Sequence, residues 1–238
     1  AAVEPVTWSR VNIPAGGETG KWMLASGADI QHLTLAADGA LYCYATPSGT
    51  DYTLFKSTDG GRSWLPTGKV KDAIVALAAT RDDARVLYYA TASKVYQSRD
   101  AGTTFTVLPA NPGGAGGGNV TITSLAVTRA ERGRIVAVGV SDSDNAQYGG
   151  VYLLDEAAGS WRSTGLGGRD VLTVAFSPNF LADRQLVAVV TDEADTFVTS
   201  QVDEGEWGRV YGDAIMARVV ARTAAIAFPD GYDATTAN

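Results

Sequence analysis

The side chains best suited to chemistry in this sequence are acidic. Asp142 and Asp144 stand in one short loop run, and Asp192, Glu193 and Asp195 stand in another. Hydrolysis of a glycosidic bond needs two carboxyl groups about 5 to 9.5 Å apart, one of them with a raised pKa. Both runs follow a β-rich stretch, so equivalent positions in a repeat can bring them to one rim as a loop-borne binding site. The same residues also read as solvated acidic loops. Asp142-Ser143-Asp144-Asn145 begins as a calcium loop does, but the glycine and distal glutamate required at fixed offsets do not follow, and no metal site is assigned. His32, the single histidine, has no evident Ser or Cys partner for a nucleophilic triad. Cys43, the single cysteine, lies between Tyr42 and Tyr44, where a buried thiol is commoner than a reactive one. The glycine-rich run 112–118 lacks the Gly-Lys-Ser/Thr ending of a phosphate loop and reads as a flexible connector; no cofactor is expected.

The elements that must position these residues come from a repeat. Ser57, Asp59, Gly61 and Trp64 recur in the same spacing as Ser98, Asp100, Gly102 and Phe105. Weaker echoes run from Leu154 to Trp161 and from Ser200 to Trp207, with the acid and glycine shifted by one place. Ahead of each aromatic lie runs rich in β-branched and aromatic residues, such as Leu54-Phe55-Lys56-Ser57 and Val95-Tyr96-Gln97-Ser98. A second β-rich run precedes each of these. A third apolar class is marked by Leu35-Ala36, Leu77-Ala78, Leu125-Ala126, Val174-Ala175 and Ile226-Ala227. The aromatic opens a fourth strand. A unit of roughly 40 to 55 residues with four short strands describes a propeller blade, whose sheet needs neighbours to cover both faces.

The expected fold is therefore all-β, a β-propeller of four-stranded antiparallel blades. Units fall at about 30–68, 74–108, 122–164 and 171–211, with partial blades at 1–29 and 212–238. Trp8 reads as the end of a preceding blade and Ala224–Phe228 as the start of a following one. The stretch 214–225 is ambiguous, with a short helix as one reading. The chain reads as one domain or as a segment of a larger ring.

Ser-x-Asp-x-Gly-x-x-Trp is the Asp-box, and the sequence resembles the BNR or Asp-box β-propellers, which include sialidases, xyloglucan-degrading hydrolases, sortilin-type receptors and a photosystem II assembly factor. The resemblance implies that the box residues are structural, on outer hairpins between third and fourth strands and away from the axis. A sialidase of this family would need an arginine triad and a tyrosine nucleophile with a glutamate partner. Tyr42, Tyr44, Tyr88 and Tyr89 instead lie in strand runs, and no such set can be assembled. The aromatics at the box position read as packing between blades, and Trp22 falls outside that phase.

Among 238 residues, 19 Lys and Arg against 26 Asp and Glu leave a net charge of −7, with no long block of either sign, so nucleic acid is not an expected partner. No apolar run approaches the roughly 18 residues that span a bilayer. Intact packing motifs without a recoverable catalytic set lead to one expectation: a non-enzymatic, secreted or cell-envelope module that binds a protein or glycan and is able to assemble with itself. The alternative is a glycoside hydrolase, sialidase- or xyloglucanase-like, whose catalytic residues lie partly outside this segment.

Overall fold

The computed structural model describes residues 29–46, 54–68, 70, 72–109, 111–144, 146–229 and 231–236. These residues form four four-stranded antiparallel sheets, each made from strands consecutive in the chain. The first sheet holds β1 (Asp29–Leu35), β2 (Leu41–Thr46), β3 (Leu54–Ser57) and β4 (Leu65–Pro66). The second holds β5 (Ala76–Ala79), β6 (Leu87–Ala90), β7 (Val95–Ser98) and β8 (Thr106–Val107). The third holds β9 (Val120–Arg129), β10 (Arg134–Asp142), β11 (Gly150–Asp155) and β12 (Ser160–Ser163), and the fourth holds β13 (Asp170–Phe176), β14 (Gln185–Thr191), β15 (Thr196–Val202) and β16 (Ala214–Met216). The only α-helix among the described residues is the single turn α1 (Phe180–Asp183), and no described helix is long and apolar enough to cross a membrane.

Burial explains the residue choice within each sheet. The second strands are covered on both faces: Leu87, Tyr88, Tyr89 and Ala90 are wholly buried, as are Val136, Ala137, Val138 and Val140. Such strands read as continuous apolar runs because neighbouring sheets leave no wet face. The fourth strands are the opposite, with β4, β8 and β16 exposed throughout. One cluster joins Tyr88 and Val95 of the second sheet to Val136, Val138 and Leu154 of the third. Another joins Ala137, Val151 and Leu153 of the third to Val171, Ala188 and Phe197 of the fourth. The first strands lie side by side in chain order, β1 against β5, β5 against β9 and β9 against β13.

A cavity of about 750 Å³ opens along these first strands, lined by Leu77, Leu125, Val174 and Ile226 with the alanine that follows each. Four of the five Leu-Ala-type markers therefore face one space. Ile226-Ala227 does so without being a strand, which corrects the expected new blade at Ala224–Phe228. The fourth sheet also ends later than expected. Trp207 lies in the connection after β15, and the pairing strand is Ala214–Met216 against Thr196–Val198. The ambiguous stretch thus opens as strand and contains no helix. The connection from β15 to β16 carries four residues at positive φ, Asp203, Glu204, Gly208 and Gly212, so the chain turns before it can pair. Trp8, Trp22 and the partial blade expected at 1–29 lie outside the described residues, apart from Asp29 at the start of β1.

Candidate functional site

The five acidic loop residues sit on the loops that follow β10 and β14. Asp142 is buried at the end of β10, and its carboxylate Oδ1 accepts the Asp144 N–H at 2.9 Å. Asp144 in turn accepts the Ala146 N–H at 3.1 Å and the Gln147 side-chain amide at 3.2 Å. Asp192 accepts the N–H groups of Ala194 and Asp195 at 3.1 and 2.8 Å. Glu193 takes the left-handed conformation at the apex, φ 71°, while Asp195 Oδ1 accepts the Arg218 N–H at 2.5 Å. Asp142, Asp144 and Asp192 thus close their own loops, while Asp195 ties its loop to the turn after β16.

The two loops meet. Asp170, buried at the start of β13, accepts the N–H groups of Asp142 and Gly149, each at 2.8 Å, so the fourth sheet clamps both ends of the third sheet's loop. Tyr148 donates its hydroxyl to the Asp192 carbonyl at 3.5 Å. Asp170 and Tyr148 were missed from sequence. The available signal was an aspartate opening the first strand of its sheet, as Asp29 also does.

The backbone N–H of Asp195 holds the Asp192 carboxyl below the ordinary carboxylate range, with help from the Ala194 N–H and the Arg169 guanidinium and against a desolvation penalty. Asp192 is thus kept ionised, as a base or nucleophile is; a glycosidase acid needs the opposite displacement. Arg169 stands between the rim and the next loop. It pairs with Asp213 at 2.7 Å and stacks over Phe197 at 4.1 Å. Burial pushes the Asp213 carboxyl up, but the neighbouring Thr199 hydroxyl and Arg169 outweigh this and hold it low. Among the described residues no group of three or more His, Cys, Asp or Glu is placed to hold a metal ion.

The two strict corners contain closed hydrogen-bond cycles. Ser57 Oγ donates to Asp59 at 2.8 Å and accepts the Gly61 N–H at 2.9 Å, while Asp59 accepts both the N–H and hydroxyl of Ser63 at 2.9 and 2.6 Å. Ser98, Asp100, Gly102 and Thr104 repeat this set at 2.8, 2.9, 2.8 and 2.6 Å. Gly61 and Gly102 stand at φ 86° and 81°, where a side chain is strained. The Ser63 hydroxyl and N–H, then Ser57, lower Asp59 from 3.8 to about 2, and Thr104 acts likewise on Asp100. Trp64 donates its Nε1–H to the Gly61 carbonyl at 3.0 Å and packs half-buried on Cys43, Ala45 and Phe55. Phe105 stacks edge-on with Tyr89 at 4.8 Å. Burial pushes the Cys43 thiol up to about 11 and lowers the His32 imidazole, which lies 6.2 Å from the Tyr44 ring. Neither is placed for nucleophilic work.

No known family profile matches the sequence, and no curated protein matches it. Solved structures do share the fold. A GH74 enzyme of Niastella koreensis superposes with a TM-score of 0.56 at 17% identity, over 75% of this chain and 29% of that one. A GH74 xyloglucanase from Xanthomonas campestris superposes with a TM-score of 0.52 at 16% identity, over 78% of this chain and 29% of that one. The architecture resembles that of GH74 glycoside hydrolases. This chain spans about 29% of their length.

Proposed function

We propose that this chain forms part of a β-propeller glycoside hydrolase that acts on an extracellular or envelope-associated polysaccharide. The corners at Ser57–Trp64 and Ser98–Phe105 are read as Asp-boxes that pin its blades. The observation that carries the reading is the succession of four four-stranded sheets with adjacent first strands, in the arrangement shared with GH74 enzymes. Within it, the rim formed by Asp142, Asp144, Asp192, Glu193 and Asp195 is the polysaccharide-facing edge. Asp192, on the loop that Tyr148 joins to the Asp142 loop, takes the part of base or nucleophile. A protonated partner carboxyl comes from outside this segment.

The test is release of reducing ends from xyloglucan by the full-length parent polypeptide. Asp192→Asn is expected to lower turnover by about 100-fold or more, the scale of lost acid–base catalysis, with folding unchanged by circular dichroism. Saturable binding of the polysaccharide without turnover would instead return the protein to the class of non-enzymatic binding modules.

A further inference from the structure

A second cavity, which shares Arg169 with the margin of the acidic rim, lies at the junction of the third and fourth sheets. It has a volume of about 610 Å³, and its lining includes Thr164, Leu166 and Trp207 with the charged Arg169, Glu204, Glu206, Arg209 and Asp213. That is room for a few sugar rings rather than a macromolecular interface. Trp207 is fixed there: its Nε1–H donates to Thr164 Oγ1 at 3.1 Å, and its indole packs half-buried against the cluster shared by the two sheets. Leu166 is buried beside it.

The charges around the cavity divide into two sets. Arg169 is committed to Asp213 at 2.7 Å and Glu204 to Arg162 at 2.6 Å. Glu206 and Arg209 line the same space but form no ion pair with each other or with another described residue. An acceptor and a donor thus stand free on either side of a tryptophan in the chain. The lip carries a further sign of constraint: Asp203 and Glu204 are successive non-glycine residues at φ 51° and 58°, a conformation that costs free energy and persists only where its surroundings impose it.

The equivalent junction between the second and third sheets is built differently. Trp161 donates its Nε1–H to the Pro109 carbonyl at 2.9 Å, and the longer linker there folds its 3₁₀ turn, Pro112–Gly114, against β11 and β12. The junction at Trp207 has a short linker, Thr164–Arg169, and keeps its space.

We infer that the cavity at Trp207 is a binding site for a neutral saccharide, with the sugar's C–H face against the indole and its hydroxyls shared between the Glu206 carboxylate and the Arg209 guanidinium. A nearly charge-balanced wall selects against a strongly ionic ligand. An aromatic face with free donors and acceptors at its edge suits a ring that is apolar on its faces and polar at its rim. The inference rests on the glycan part of the proposed function but not on hydrolysis.

Calorimetric titration of the protein with cellotetraose and with a xyloglucan heptasaccharide tests it. Trp207→Ala is expected to weaken binding about tenfold or more, and Glu206→Gln and Arg209→Ala about three- to tenfold each. The latter two positions are exposed and leave the fold intact. Trp161→Ala serves as the control and leaves affinity unchanged. Absence of binding to both probes, or affinity indifferent to all three cavity variants, overturns the site. Turnover of xyloglucan without Trp207-dependent binding refutes this site alone. Trp207-dependent binding without turnover in the parent polypeptide leaves it standing and removes the hydrolase reading.

Discussion

The corners of the first two sheets and those of the last two solve one problem in opposite ways. At Ser57–Trp64 and Ser98–Phe105, the aspartate and serine satisfy the turn internally, and the second of these corners meets the neighbouring sheet through its backbone carbonyls. Gly68 donates its N–H to the Gly102 carbonyl at 2.7 Å, and Tyr42 donates its hydroxyl to the Ala101 carbonyl at 3.3 Å. The third and fourth sheets lack this cycle at the corresponding turn, and a glutamate beside the turn reaches across instead. Glu156 accepts from the buried Tyr88 hydroxyl and the Gln97 amide of the second sheet, and pairs with Arg99 at 3.5 Å. Glu204 reaches Arg162 of the third. A missing intraturn cycle is thus compatible with an ordered corner when a side chain ties it to the adjacent sheet.

The most direct test of this contrast is Glu156→Ala. It leaves the buried Tyr88 hydroxyl without its acceptor and the Gln97 amide with only the Tyr88 oxygen to donate to, and urea unfolding is expected to show a loss of about 2 kcal/mol. Glu204→Ala breaks a solvated pair and is expected to cost only about 0.5 kcal/mol. Equal losses would erase the distinction between a buried and a superficial tie. Next comes Gly68→Ala, whose added methyl would lie 2.2 Å from the Thr103 carbonyl oxygen. It forces the strict corner off its neighbour at a cost of about 2 to 3 kcal/mol.

Trp64→Ala is expected to cost about 2 kcal/mol, because Trp64 is half-buried and loses less than the full cost of a core aromatic. The same change should raise the rate at which a thiol reagent modifies Cys43, the buried thiol beneath it. Unchanged reactivity would mean that the corner does not guard this part of the core. The smallest effect concerns pH. Asp59 is lowered in the folded state from 3.8 to about 2, so its stabilising contribution is present above about pH 4 and disappears as pH falls towards 2. The melting temperature of the protein should exceed that of Asp59→Asn by a constant margin at pH 5 and above, a margin that closes between pH 4 and 2. A margin independent of pH would assign the effect to packing.

Much of the architecture was legible because it depends on local pattern. The strand runs at Leu54–Ser57 and Val95–Ser98 are strands with those bounds, since β-branched and aromatic residues between turn residues leave little choice. The fourth strand of the last sheet was misplaced because Trp207 mimics the box aromatic, while the turn residues behind it delay pairing until Ala214. The candidate site was legible only as a set of acids on equivalent loops. That Asp170 clamps one loop, or that Tyr148 joins it to the other, depends on how β13 lies beside β10, which no local spacing encodes.

Periodicity in the sequence alone determined the all-β class, the four-strand unit and the turn chemistry of Asp59 and Asp100, because each arises from residues within a few positions of one another. Tertiary structure decided the rest. Whether a glutamate reaches a neighbouring sheet, whether Ile226 lines the space between first strands, and whether a tryptophan closes a junction or leaves it open beside Glu206 and Arg209 depend on distances between residues far apart in the chain. Those distances follow from how whole sheets pack.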